Sequence, residues 1–370
     1  MQAKSQIQPK AQRTNKQLTN KQVANKQIRR QALAQVEWKD LRQLSQWQVA
    51  YNLILPFPFL GLSWWFASQS WFVLACLATY FFFASAFRQA HDGYHYSLGV
   101  KKITTSMLLI LMSVLLLTSL HTIKATHMQH HRDPLGEEDI EGNLAKLSWW
   151  QALIGGVSYR LAIYREGFRL SNQRNRLKAK IEFGLIGMAV ITSLALIVTV
   201  VLMPLFTSIT PSLSLAMDLP VISANVATIE TVAKVAAYHL IVMFLANALV
   251  GIIAVWGVHH DAEDSLARTE RNKIINFLTF GLLFHVEHHL FPAVPTNHLP
   301  QLADRLDAKL PHLTQHRVTP SFRKVTELSV GFFVKVLAWC QQTFGQSCYK
   351  SNNKSNNKDN QCPIRRRLLA

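Results

Sequence analysis

The chain has 370 residues, 49% of them apolar and only 16% charged, where an average soluble protein carries roughly a quarter charged residues. That composition excludes a disordered chain and an ordinary soluble enzyme. Lys and Arg outnumber Asp and Glu 39 to 21, a net charge of +18, yet these charges lie between apolar blocks. The basic balance therefore reads as membrane orientation before nucleic-acid affinity, and nucleic acid is not an expected partner. The four cysteines, Cys76, Cys340, Cys348 and Cys362, show no close paired spacing and imply neither a disulfide framework nor a zinc ribbon.

In chain order, residues 1–45 read as a basic, Gln- and Lys-rich disordered arm. The arm repeats every five residues: Asn15-Lys16-Gln17, Asn20-Lys21-Gln22, Asn25-Lys26-Gln27. No apolar stretch follows its first basic residues, so it does not read as a cleavable signal peptide. Two apolar runs come next, Trp47 to Ala67 and Trp71 to Phe87. A bilayer core takes about 20 helical residues, so each is long enough for one pass. Only Ser68-Gln69-Ser70 parts them, which forces a tight helical hairpin. Trp64, Trp65 and Trp71 sit at its tip as an aromatic belt, and Pro56 and Pro58 are expected to kink the first span.

A third run, Ile103 to Leu120, is free of charge. Ile181 to Phe206 and Thr231 to Val258 are each long enough to span, and residues 207–230 between them hold no Lys or Arg. The arm and residues 121–180 are rich in both, so the positive-inside rule places them in the cytoplasm and 207–230 outside. That assignment fails if 103–120 crosses once, so this run is expected to be re-entrant. The expected fold is all-α and integral to the membrane. It has four transmembrane helices, one re-entrant segment and both termini in the cytoplasm. The membrane domain is expected over 46–300, amphipathic or interfacial helices over 301–349, and a basic disordered tail over 350–370. Leu302, Leu306 and Leu310 have amphipathic spacing, and Val325 to Phe344 fits an interfacial helix better than a fifth span. Ser148 to Leu170, with its Trp, Tyr and Arg residues, reads as a helix at the headgroups.

Eight of the fifteen histidines fall in three short windows: His91-Asp-Gly-Tyr-His95, His127-Met-Gln-His130-His131 and His285-Val-Glu-His288-His289. On a helix, positions three or four apart share a face, so each window presents its imidazoles to one side. All three fall on the cytoplasmic side assigned from Lys and Arg alone. Eight imidazoles exceed the four ligands of one zinc ion but suit two metals, and imidazole suits iron as well as zinc. The paired Glu and Glu-x-x-His motifs of soluble di-iron bundles are missing.

HDGYH, HMQHH and HVEHH, followed by Leu290-Phe291-Pro292 and Leu299-Pro300, resemble the membrane fatty acid desaturase family over roughly residues 48–300. The resemblance implies an oxygen-dependent enzyme with two iron ions. Its ligands would be His91, His95, His127, His130, His131, His285, His288 and His289, with a further one at either His259 or His260. Asp92, Glu287 and Asp261 adjoin these positions and are expected to orient imidazole N–H groups. His121 reads as a polar cap, His239 as an interhelical hydrogen-bonding residue, and His298, His312 and His316 as surface residues. Glu137-Glu138-Asp139 reads as a solvated loop.

The resemblance further implies dioxygen as co-substrate, a lipid acyl chain as substrate and electrons from elsewhere. No haem-binding Pro-Gly-Gly or cysteine cluster is present, so the donor is expected to be a separate protein such as an acidic ferredoxin, docked on the basic face. Carotenoid ring hydroxylases and ketolases share an HDxxH first box and remain an alternative. A zinc-binding membrane protein, non-enzymatic or hydrolytic, is the alternative from another class.

Overall fold

The computed structural model describes residues 23–209, 220–260, 266–320, 323 and 326–327, with side chains except at 206–209 and 220–224. The chain divides into two compact units, 1–318 and 319–370, and every element below belongs to the first. Among the described residues there is no strand, only an isolated bridge between Thr269 and Arg317. Among the described residues, four helices are long and apolar enough to cross a membrane: Gln46–Ser68, Phe72–Tyr94, Gln173–Leu205 and Asn225–His259.

A first helix, α1 over residues 23–35, lies in the segment expected to be disordered. Its Ala32 and the following Val36 are buried in a cluster with Leu290, Phe291, Leu302 and Leu306. The arm expectation is thus corrected for residues 23–45: apolar contacts hold this segment against the third histidine window. Residues 1–22, with most of the repeat, lie outside the described residues.

The first span is two helices, α2 (Gln46–Ile54) and α3 (Pro56–Ser68), divided at Leu55. Pro56 has no N–H to give to the preceding turn and takes the first position of α3, which explains the break. Ser45 starts α2 with a capping box: its hydroxyl accepts from Gln48 N–H at 3.3 Å, and its own N–H donates to Gln48 Oε1 at 2.8 Å.

At the hairpin tip Ser70 adopts φ 61°, the left-handed cap conformation usually filled by glycine. That lets Trp71 N–H reach Phe66 O at 2.9 Å, and α4 (Phe72–Tyr94) returns. Lys234 donates to Ser68 O at 2.9 Å and Ser70 Oγ at 3.0 Å, placing a cation on the carbonyl end of α3. Trp65 and Trp71 pack edge-on there at 5.8 Å. Deeper in the bundle, Ser63, Thr79 and Tyr238 form a hydroxyl chain at 2.7 and 2.6 Å, the polar contact that joins helices within lipid.

The third apolar run is α5 (Lys102–Leu115), followed by α6 (Leu120–Arg132) at a bend of 112°. A re-entrant segment, expected from the charge pattern, has this form, and so does a broken span. Leu117 takes φ 51° at the corner. The start of α6 is satisfied from another helix. The buried Glu182 accepts from Ser119 Oγ at 2.6 Å, His121 N–H at 3.1 Å and His121 Nδ1 at 2.5 Å. Negative charge at a helix start is stabilising. His121 also meets Ser106 at 3.0 Å, so it is tied into the bend.

Helices α7 (Trp149–Ile154) and α8 (Gly156–Leu170) cover the expected headgroup stretch. Glu182 belongs to α9 (Gln173–Ile209), whose apolar stretch has none of its residues buried inside the protein. Such a helix requires lipid as its solvent. Helix α10 (Pro220–Gly251) returns, continues through a π-helical turn at Ile252–Trp256 and ends at Gly257–His259. Helices α11 (Lys273–Leu278), α12 (His285–Leu290) and α13 (Leu299–Lys309) follow. Leu302 and Leu306 of α13 are fully buried, as their spacing predicts. The expected interfacial helix over 325–344 falls almost wholly outside the described residues.

Candidate metal centre

Each histidine window ends or forms a helix at the same end of the bundle. Helix α4 runs past its apolar stretch to carry His91, and His95 caps it. His127, His130 and His131 occupy the last turns of α6, and His285, His288 and His289 share one face of α12. The turn into α12 passes Phe280 at φ 52° and Gly281 at φ 79°, a conformation that suits glycine at the second position.

The structure gathers all eight window histidines and adds His259. One group consists of His91, His95, His127, His131 and His288, and the other of His130, His259, His285 and His289. The groups adjoin, for His131 and His289 stack with ring centres 4.5 Å apart. His260 is not part of either: it stacks on Trp256 at 4.2 Å and its Nδ1 meets Ala145 O at 3.0 Å. Of the two candidates for the ninth position, His259 therefore faces the cluster. The π-helical turn just before it changes the helix phase, and such turns recur at functional sites.

Within each group the Nε2 atoms face one another. His127 lies 3.1 Å from both His95 and His131, and His131 lies 2.9 Å from His288. His259 lies 3.0 Å from both His130 and His285, and His285 lies 3.1 Å from His289. The Nδ1 atoms of His127 and His130 face carboxylates, which turns their Nε2 atoms into the groups. Each of the two groups could hold a metal ion, and imidazole is a suitable ligand for several, iron and zinc among them.

Burial pushes His285, His288 and His289 well below the usual histidine range, and their imidazole neighbours push the same way. They are held neutral, the form that binds metal.

Among the described residues, the carboxylates that meet the imidazoles are Asp139 and Glu141 rather than Asp92 and Glu287. Asp139 Oδ2 accepts from His130 Nδ1 at 2.7 Å, and Glu141 Oε1 accepts from His127 Nδ1 at 3.0 Å. Asp139 was expected in a solvated loop but is 1% exposed. Burial pushes its carboxyl up, but His130 and the N–H groups of Gly142 and Leu135 outweigh that and hold it below the usual range. Asp92 instead accepts from Thr296 N–H at 3.2 Å and Thr296 Oγ1 at 2.7 Å. Glu287 accepts from Thr269 Oγ1 at 2.7 Å and Arg271 at 2.5 Å. The reason is direction: side chains adjacent to a ligand in sequence point about 100° away from it around a helix. Asp261 lies outside the described residues.

Those two carboxylates fasten the box helices. Arg271 links Glu287 of α12 to Asp307 of α13 at 2.8 Å. The segment after α12 is tied down residue by residue. Thr296 holds Asp92, Asn297 accepts from the buried Arg88 at 2.6 Å, and His298 meets Leu41 O at 2.7 Å and Gln48 at 2.9 Å. His298 is therefore half-buried rather than a plain surface residue. His239 hydrogen-bonds Leu115 O at 2.9 Å and Trp64 Nε1 at 3.2 Å, as an interhelical role requires.

An apolar cavity of about 410 Å³ leads to the cluster between α4 and α10. Its lining runs from Cys76 and Tyr80 through Phe83 and Phe87 to His91, with His127 and His285 at the same end. From Cys76 to His91 the helix rises about 22 Å, somewhat more than one leaflet's share of a ~30 Å hydrocarbon core. A second opening of about 240 Å³ reaches His131 and His289 from the opposite, polar side, past Lys26, Arg29 and Arg132.

No curated protein and no solved structure matches the chain. The family profile described as fatty acid desaturase matches residues 69–320, a stretch that includes α4, α6, α12 and His259 and so all nine clustered histidines. The chain belongs to the fatty acid desaturase family.

Proposed function

We propose that the chain is an oxygen-dependent desaturase of a fatty acyl chain, acting at two iron ions held by His91, His95, His127, His131 and His288 on one side and His130, His259, His285 and His289 on the other. The observation that carries this reading is the convergence of nine imidazoles at the end of an apolar channel. Bound iron supplies the activation of dioxygen needed to take hydrogen from an unactivated carbon. Per turnover the acyl chain loses two hydrogens. A donor gives two electrons, and dioxygen leaves as two waters after two protons are taken from solvent.

The chain's own residues position and shield. The walls of the channel exclude water and hold the acyl chain extended toward His91, His127 and His285, which limits reaction to the carbons lying there. Asp139 and Glu141 keep the Nε2 lone pairs of His130 and His127 turned inward. The electrons come from a separate donor with an acidic face. Lys26, Arg29 and Arg132 at the polar opening support such docking, because this opening touches one imidazole of each group. The basic segments support a cytoplasmic histidine side and cytoplasmic termini, by the positive-inside rule.

The test is lipid mass spectrometry of cells with and without the protein, with metal content of the purified sample. Two irons per chain and acyl chains lighter by two hydrogens are expected, and His130→Ala or His288→Ala should lose both metal and product. Iron with unchanged acyl chains would favour a carotenoid ring substrate. Zinc with no lipid change would overturn the oxygen chemistry.

A further inference from the structure

A second apolar crevice, of about 370 Å³, lies on the other side of α10 from the channel. Val242, Leu245, Ala246 and Leu249 face the channel, whereas Leu240, Phe244, Asn247 and Ala248 face the crevice, so the helix is a wall between them. Ile186 and Val190 of α9 form the opposite side. Helix α8 crosses the end nearer the histidines. It is pinned at both ends by close approaches that only glycine permits. A Cβ on Gly156 would meet Ala248 O at 2.1 Å, and one on Gly167 would meet Thr122 O at 2.2 Å. The crevice is therefore held open by fixed helices.

One charge lines it. Arg160 of α8 donates through Nη2 to Asn247 O at 3.0 Å. Its Nε and the side-chain oxygen of Asn247 are buried with no hydrogen-bond partner. No carboxylate lies within 4.0 Å of the guanidinium among the described residues. A guanidinium offers five N–H donors in a fork that matches phosphate, and beside membrane-spanning helices an unpaired cation is costly. Below it the crevice is apolar, and its rim is formed by exposed Val157, Leu161 and Phe244.

We propose that this crevice binds one phospholipid of the surrounding bilayer, with its phosphate on Arg160 and an acyl chain against Leu240, Phe244 and Val190. The site lies apart from the histidine cluster and does not depend on the desaturase reading. A cation above an apolar slot selects a phosphate-bearing lipid over a neutral glycolipid. The lipid also packs against the wall that bounds the channel.

The full chain would be placed in nanodiscs of phosphatidylglycerol and phosphatidylcholine, released into detergent, and its retained lipid counted by native mass spectrometry. Wild type should keep one phospholipid per chain. Arg160→Gln should lower that occupancy about tenfold, the order expected for hydrogen bonds to a charged partner. Val190→Trp, which fills the slot and keeps the charge, should do the same, and Arg165→Gln, exposed on the same helix, should not. Equal retention in Arg160→Gln and wild type, or equal retention of a galactolipid in phosphate-free nanodiscs, would overturn the proposal. A thermal melt of each variant separates lost lipid from lost fold, and Val190→Trp decides the matter if Arg160→Gln is unstable.

Discussion

Asp139→Asn tests the reasoning about the centre most directly. The carboxylate accepts three bonds: His130 Nδ1 at 2.7 Å and Leu135 N–H at 2.8 Å on Oδ2, and Gly142 N–H at 2.9 Å on Oδ1. An asparagine of the same shape has one oxygen and one NH₂. Whichever way it turns, at least one N–H faces another donor. If the oxygen stays toward His130, the NH₂ meets Gly142 N–H. If it turns toward Gly142, His130 loses its acceptor and its Nε2 is no longer held as a lone pair. Losing such an orienting partner typically lowers metal affinity ~10–100-fold, or about 1.4–2.8 kcal/mol. The loss should fall on the group that contains His130, so iron content should drop from two toward one per chain. Competition with a chelator of known affinity reads the change, and the melting temperature of the metal-free variant checks the fold. Two irons held with unchanged affinity would refute the role assigned to Asp139.

His259→Ala should lower iron content, whereas His260→Ala should keep it while losing the ring contact with Trp256 and the bond to Ala145 O, about 1 kcal/mol of stability. The reverse pattern in metal analysis would exchange their roles. Ala246→Trp, placed in the wall of the channel, should leave iron content intact and reduce product formation at least ~100-fold, measured as product per bound iron. Full turnover would show that the substrate takes another route. Glu287→Ala removes the buried partner of Arg271 and should destabilise the fold by ~3 kcal/mol in a denaturant or thermal melt. A change below ~1 kcal/mol would show that Arg271 is satisfied through Asp307 alone.

Much of the architecture is local and therefore legible in the sequence. The hairpin follows from two apolar runs parted by three polar residues, and the absence of Lys and Arg from 207–230 leads to a re-entrant third run, for which the 112° bend has a compatible form, as it has for a broken span. The eight box histidines are equally local, because helical spacing alone puts each window on one face. The ordered part of the arm was not visible in this way. Ala32 and Val36 are two small apolar residues in a polar segment, and they matter only because Leu302 and Leu306 lie against them.

What surrounds the histidines is long-range, and only the tertiary structure decided it. His259 and His260 are neighbours with the same side chain, and the choice between them depends on the helix phase set by the π-helical turn and on where α6 and α12 stand. Asp139 and Glu141 resemble any acidic loop residues until the chain folds back over α6, for they belong to an acidic run that also holds Asp133, Glu137 and Glu138. Asp92 and Glu287 adjoin ligands in sequence yet point away from them, to Thr296 and Arg271. Periodicity assigns a residue to a face of its own helix. The partner of that face is set by packing between helices distant in sequence, and orienting carboxylates, channel and lipid crevice all lie at such contacts.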